Sequence, residues 1–187
     1  MSTTLTPPKS KLLTAAEFAA RHENDRAELV DGVVVELPMP EYSHGKLCLL
    51  LGGAILNWIT EHDLGTAASN DAFIRTRTDP DRVRGPDVCY YSYKRLPRGS
   101  EELPVMTIPP DLVVEVRSPT DRWNSVLAKA AEYLAAGVTA VVLVNPQTQS
   151  VVVYRDEQDA ATFGRADTLT VPDVLPGFTF PVARLFG

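Results

Sequence analysis

Glu115 sits inside the apolar run Asp111-Leu112-Val113-Val114-Glu115-Val116-Arg117. Side chains alternate along a strand, so Leu112, Val114 and Val116 face one way and Val113, Glu115 and Arg117 the other. A carboxylate buried among such residues is costly unless a cation compensates it, either a side chain or a metal ion. Arg117, on the same face, could be that partner. Asp87 follows Gly85-Pro86 and opens the apolar run Val88-Cys89-Tyr90-Tyr91. There a turn or cap role competes with a ligand role. Glu28 precedes the pair Asp31-Gly32, where an exposed edge position is the simpler alternative. Lys129 lies at the margin of the helical stripe Val126, Ala130, Tyr133 and Leu134. Its ammonium could reach the end of the Glu115 strand or remain solvated.

The elements that must position these residues are legible from pattern. Thr14-Ala15-Ala16-Glu17 fits a capping box and predicts a helix to about His22. Asp31-Gly32 between two β-prone runs predicts a hairpin. Pro38-Met39-Pro40 stops its second strand. Ser43 opens a long helix on Leu47, Leu50, Leu51, Ala54, Ile55, Trp58 and Ile59, closed by Gly65 shortly after residue 62. Extended segments are expected at Thr66–Asn70, Ala72–Arg77 and Asp87–Tyr91, and a long proline-containing loop at 94–110. The strand at 111–117 precedes a helix capped by Thr120 or Asp121, running to Ala136 and stopped by Gly137. A strand at Thr139–Val144 follows. Strand, helix, strand predicts a parallel pair with a right-handed crossover. Asn145-Pro146-Gln147-Thr148 turns into a strand at Ser150–Arg155, and the tail holds a short strand near Thr168–Val171 before a final extended or helical piece.

Composition narrows the classes. With 187 residues the chain suits one domain, with residues 1–11 read as a loose arm and 12–187 as the folded unit. Eighteen basic residues against 24 acidic ones give a formal charge of −6, which excludes a protein that coats nucleic acid by charge alone. It does not exclude an enzyme that holds cations between carboxylates. No run approaches the roughly 20 apolar residues of a membrane helix, and the N-terminus lacks the apolar run of a signal peptide. A cytoplasmic location is the default. Cys48 and Cys89 lie in apolar segments and read as buried free thiols. The fold class expected is α/β in the broad sense, an α+β mixed central sheet flanked by helices, with an N-terminal helix and hairpin.

The order Glu28, Pro86-Asp87, Glu115-x-Arg117, Lys129 is where a resemblance becomes specific. The chain resembles the Uma2 (DUF820) family of the PD-(D/E)XK restriction-endonuclease-like superfamily over about residues 11–187. The likeness runs through Glu28-Leu29-Val30-Asp31-Gly32, Pro40-Glu41-Tyr42-Ser43-His44-Gly45 and Arg84-Gly85-Pro86-Asp87-Val88. It continues through Asp111–Val116 with Ser118-Pro119-Thr120, Lys129 with Glu132–Val138, and Leu175-Pro176-Gly177-Phe178. Each motif is weak alone. Their order over nearly the whole chain is what makes the likeness strong.

The resemblance implies a restriction-endonuclease-like core and Mg²⁺-dependent hydrolysis of DNA phosphodiester bonds, with Mn²⁺ able to substitute. Asp87 and Glu115 would be metal ligands, with the backbone carbonyl of Val116 as a further one. Glu28 would complete the site, and Lys129 would orient or deprotonate the attacking water. The superfamily motif places a lysine where this chain has Arg117, which stays protonated and cannot be a general base. Arg117 could instead clamp a phosphate, and Lys129 matches the family's displaced lysine. His44, at a helix N-terminus, could contact phosphate or cap the helix. Arg75, Arg77, Arg82, Arg84, Arg95, Arg98, Arg117 and Arg122 are the remaining candidates for phosphate contact. Fold-level analogy favours a homodimer. The alternative is a non-catalytic oligomeric binding module that keeps the fold, in which Glu115 and Arg117 form a buried ion pair.

Overall fold

Thr14 and Glu17 bond reciprocally at the start of the first helix, α1 (Ala15–His22). The Thr14 amide donates to Glu17 Oε2 at 3.0 Å and the Glu17 amide to Thr14 Oγ1 at 3.2 Å, completing the capping box. The strands β1 (Ala27–Val30) and β2 (Val33–Glu36) pair antiparallel. Asp31 and Gly32 between them both have positive φ, 53° and 76°, as a tight hairpin turn requires. The computed structural model describes residues 12–22, 25–39, 41–69 and 72–187. The arm expected at 1–11, Pro40 as a strand stop and Asn70 as a strand end lie outside the described residues.

The long helix α2 spans Tyr42–Glu61, one residue earlier than Ser43 signals, and buries Leu47, Cys48, Leu51, Ile55 and Ile59. Its end departs from expectation. Asp63, at φ 54°, takes the left-handed position assigned to Gly65. Gly65 instead opens β3 (Gly65–Ser69), where a Cβ would stand 2.0 Å from the Tyr91 carbonyl oxygen. The glycine serves close backbone approach rather than helix termination.

The strands β4 (Phe73–Arg77), β5 (Arg82–Arg84), β6 (Val88–Ser92), β7 (Val105–Met106) and β8 (Leu112–Val116) follow. The helix α3 spans Trp123–Ala135 and starts later than Thr120 or Asp121 suggests. Asp121 Oδ2 accepts the Ser118 amide at 2.9 Å and closes a turn, leaving Arg122 at the N-cap. At the other end the amides of Gly137 and Val138 donate to the Leu134 and Tyr133 carbonyls, with Gly137 at φ 98°. This is the expected glycine stop. The chain closes with β9 (Ala140–Asn145), β10 (Ser150–Tyr154), β11 (Ala161–Phe163), β12 (Thr168–Leu169), β13 (Phe180–Pro181) and α4 (Ala183–Phe186).

The fold is a mixed α+β structure with helices on its sheets. One sheet has six strands in the order β11-β10-β9-β8-β6-β3, a second has five in the order β2-β1-β5-β4-β7, and β12-β13 form a small ribbon. The second sheet exists because β5 and the two-residue β7 join the hairpin and β4. Elements this short are held by distant partners and carry too few residues for a periodic signal. Strands β8 and β9 are parallel, as expected of the strand–helix–strand unit, and every residue in both is buried.

Two cores flank the six-stranded sheet. Leu112, Val114 and Val116 pack on the side of α2. Val113 packs with Val126, Ala130 and Tyr133 of α3. Glu115 therefore points to the α3 side, as alternation along the strand requires.

Candidate active site

Asp87 immediately precedes β6, and Glu115 lies on the neighbouring strand β8. Strands β6 and β8 pair antiparallel with Val88 opposite Val114, so the next step of the register sets Asp87 against Glu115. Asp87 is oriented from both sides. Its Oδ2 accepts the Val116 backbone N–H at 2.7 Å, and its Oδ1 lies 3.0 Å from His44 Nε2. His44 does not cap α2; its other ring nitrogen lies 3.3 Å from Ser118 Oγ. The hydrogen bonds to Asp87 and Cys48 outweigh burial and raise the His44 pKa to about 10.

Glu115 is only 8% exposed, and its Oε1 accepts the Tyr133 hydroxyl at 2.7 Å. Burial raises its pKa to about 7, against the opposing pull of the Lys129 charge. Arg117, the partner that spacing offered, turns elsewhere. Its guanidinium donates to the Asp121 carbonyl at 3.0 Å and to Gln147 Oε1 at 2.6 Å, and it lies 5.7 Å over the Trp123 ring. The Glu115–Arg117 ion pair that the non-catalytic alternative required is replaced by Glu115–Tyr133.

Glu28 corrects the expectation of an exposed edge position. It is 1% exposed, with Lys129 Nζ donating to its Oε1 at 2.9 Å and Arg84 Nη1 to its Oε2 at 2.6 Å. Burial disfavours the Lys129 ammonium, yet Glu115 and Glu28 together hold its pKa above the ordinary lysine value. Lys129 is thus paired, with its side chain only partly exposed. Arg84 also forks onto Glu132, Nε to Oε1 at 2.9 Å and Nη2 to Oε2 at 2.7 Å. Arg82 and the Thr76 hydroxyl complete the bonds to Glu132. Arg84 is therefore committed within the fold, and so is Arg82, which also pairs with Asp31. Arg75 lies on β4 at a register irregularity, and among the described residues it makes no hydrogen bond or ion pair to this network. Arg95 holds backbone carbonyls, including those of Pro109 and Gly137, and Arg77 and Arg98 pair with Asp31 and Asp63.

Asp87, Glu115, Val116, Lys129, His44 and Ser118 line one cleft of about 110 Å³. Glu28 stands behind it, reached through Lys129. The structure brings together all four residues of the proposed catalytic set, three at the cleft and one as the anchor of the third. Sequence reasoning missed the role of Tyr133, which it placed only in a buried stripe. The signal was present: Tyr133 lies four residues after Lys129, one turn along the same helix face.

The Uma2 family model, described as "Putative restriction endonuclease", matches residues 13–183. The chain belongs to the Uma2 family. Every residue of the site just described falls inside the matched span. A similar solved structure is a crystal structure of a protein from Anabaena variabilis ATCC 29413, described as a "putative nuclease belonging to DUF820". It is 22% identical to this Uma2 chain with a TM-score of 0.80, covering 93% of this chain and 97% of that one. The two share a fold. No curated protein matches the chain. Among the described residues, no helix of this Uma2 protein is long and apolar enough to cross a membrane.

Proposed function

We infer that this chain is a divalent-metal-dependent endonuclease that hydrolyses phosphodiester bonds of DNA. One observation carries the reading: Asp87, at the start of β6, and Glu115, on the adjacent β8, share a cleft with a lysine that a buried glutamate holds in place. The donor set suits Mg²⁺ or Mn²⁺. Asp87 and Glu115 offer hard carboxylate oxygens, and the Val116 backbone carbonyl is the further ligand the family resemblance suggests. Glu115 also lacks enough positive charge around it to ionise at an ordinary pKa, a deficit that a cation would supply. When bound, such an ion lowers the pKa of water and neutralises charge on the scissile phosphate.

The chain's own residues divide the rest of the work. The Val116 amide and His44 fix the Asp87 carboxylate. Tyr133 fixes Glu115. Lys129 enters as an ammonium, so it orients the attacking water and stabilises charge developing on the phosphate rather than removing a proton. Arg117, which follows Val116 and is held by Asp121 and Gln147, is the candidate phosphate clamp that the family resemblance suggests. A homodimer would present two such clefts to one duplex, which sedimentation tests.

The deciding assay incubates supercoiled plasmid, and a single-stranded RNA in parallel, with protein and Mg²⁺ or Mn²⁺. Nicking by wild type but not by Asp87→Ala or Glu115→Ala supports the reading. Cleavage of RNA alone corrects the substrate. Wild type that never cuts either polymer, or variants as active as wild type, overturns it.

A further inference from the structure

Beside the carboxylate pair lies a second donor set of different chemistry. His44 and Cys48 stand four residues apart on α2, one turn along the same face. Their ligand atoms and an Asp87 carboxylate oxygen all lie within 4.8 Å of one another. His44 Nε2 is already 3.0 Å from Asp87 Oδ1. Ligand atoms around a tetrahedral zinc ion stand about 3.3–3.6 Å apart, from bond lengths of about 2.0–2.3 Å. The cluster therefore needs adjustment of about an ångström, within reach of side-chain rotation.

We propose that His44, Cys48 and Asp87 form a site for a thiophilic divalent cation of the Zn²⁺ class, which competes with the hard-cation site for Asp87. One nitrogen, one thiolate and one carboxylate oxygen is a zinc-type set, whereas Mg²⁺ does not take sulfur. Three protein ligands leave a fourth position open. The cleft lined by His44 and Asp87 and the neighbouring groove of about 340 Å³ lined by Cys48 and Val88 both approach it. The second ring nitrogen of His44 faces Ser118 Oγ at 3.3 Å, the outer contact that orients a ligating imidazole. Cys48 is a free thiol.

Competition follows from how Asp87 is held. Its Oδ2 is committed to the Val116 amide, so Oδ1 is the oxygen facing His44. An ion held by Oδ1, His44 and Cys48 and an ion held by Asp87 with Glu115 draw on the same carboxylate, so one excludes the other. The binding claim stands on geometry alone; the inhibitory consequence rests on the nuclease reading above.

The test uses full-length protein and Co²⁺ as a spectroscopic probe, followed by Zn²⁺ against a chromophoric chelator. Wild type should give a thiolate-to-cobalt charge-transfer band that Cys48→Ser lacks, with Cys89 unchanged as the internal control. Cys48→Ser should weaken Zn²⁺ binding at least ~100-fold, more than losing an outer-shell contact typically costs. Its circular dichroism spectrum and urea midpoint should match those of wild type, which reports that the variant is folded. A wild type without the band, or Cys48→Ser binding Zn²⁺ as wild type does, overturns the site. If nicking occurs, Zn²⁺ should inhibit wild type far more than Cys48→Ser. Equal inhibition of both overturns the competition. A cobalt–thiolate band in a protein that cuts nothing removes the nuclease reading and leaves the site standing.

Discussion

Lys129 and Glu28, 101 residues apart in the chain, meet at 2.9 Å on the wall of a cleft that also holds Asp87 and Glu115. The contact joins the two sheets' machinery. Glu28 comes from the five-stranded sheet, and Lys129 from the helix packed on the six-stranded one. Arg84 on β5 binds the other oxygen of the same carboxylate. One buried anion therefore fixes two cations, and its loss should be felt in stability as well as in rate.

Glu28→Ala leaves Lys129 and Arg84 without their shared anion. Breaking a buried pair from one side typically costs about 3–5 kcal/mol, so the urea midpoint should fall clearly at an unchanged m-value. Glu28→Gln keeps the shape and should lose less. A Glu28→Ala midpoint equal to wild type would contradict the burial described here.

Glu115 makes stability depend on pH. Its pKa is about 7 in the fold against the ordinary glutamate value of 4.5. Between those values the folded protein binds more protons than the unfolded chain, so raising pH through that window removes stability. Below it both states are protonated, and above it both are ionised. The contribution lost is on the order of 3 kcal/mol at 1.36 kcal/mol per pKa unit. Urea titrations in chelator, at about pH 5 and about pH 8, should show Glu115→Gln gaining on wild type at the higher pH. Parallel curves for the two proteins would refute the buried-acid picture.

Tyr133→Phe removes the hydroxyl that donates to Glu115 Oε1. That bond favours the carboxylate, so its loss raises the Glu115 pKa further. The acid limb of a pH–rate profile should move to higher pH, with a stability cost of about 1–3 kcal/mol for the unsatisfied oxygen. Carboxyl-resolved NMR of Glu115 checks the direction independently of turnover.

Lys129→Met should reduce cleavage roughly 10²–10³-fold. Lys129→Arg should not restore it, because a planar fork cannot replace a compact ammonium. Rates from single-turnover nicking decide this, and an active arginine variant would assign Lys129 a generic electrostatic role.

Non-specific DNA binding should be weak and only mildly salt-dependent. The formal charge is −6, and Arg77, Arg82, Arg84, Arg95 and Arg98 are bound to the protein's own oxygens. With few arginines left to release counterions, the slope of log K against log salt should stay well short of the roughly −10 seen for strong phosphate binders. Fluorescence anisotropy across a salt series measures it.

Local chemistry determined much of this in the chain itself. The capping box at Thr14 and Glu17, the Asp31-Gly32 turn and the glycine stop at Gly137 depend on residues within a few positions, and each appears as read. Strand alternation likewise told which face Glu115 takes. The order of the acidic residues and Lys129 marked the family.

What the tertiary structure decided was partnership. Neither Glu28–Lys129 nor Glu115–Tyr133 follows from spacing, and Arg117, nearest to Glu115 in sequence, went to Asp121 and Gln147 instead. Strands as short as β5 and β7 left no periodic trace, because pairing with remote strands holds them. The proximity of His44, Cys48 and Asp87 likewise needed α2 to lie beside the start of β6. A side chain's alternation is set by its own backbone. Its partner is set by which elements pack together, and packing sums contacts from the whole chain.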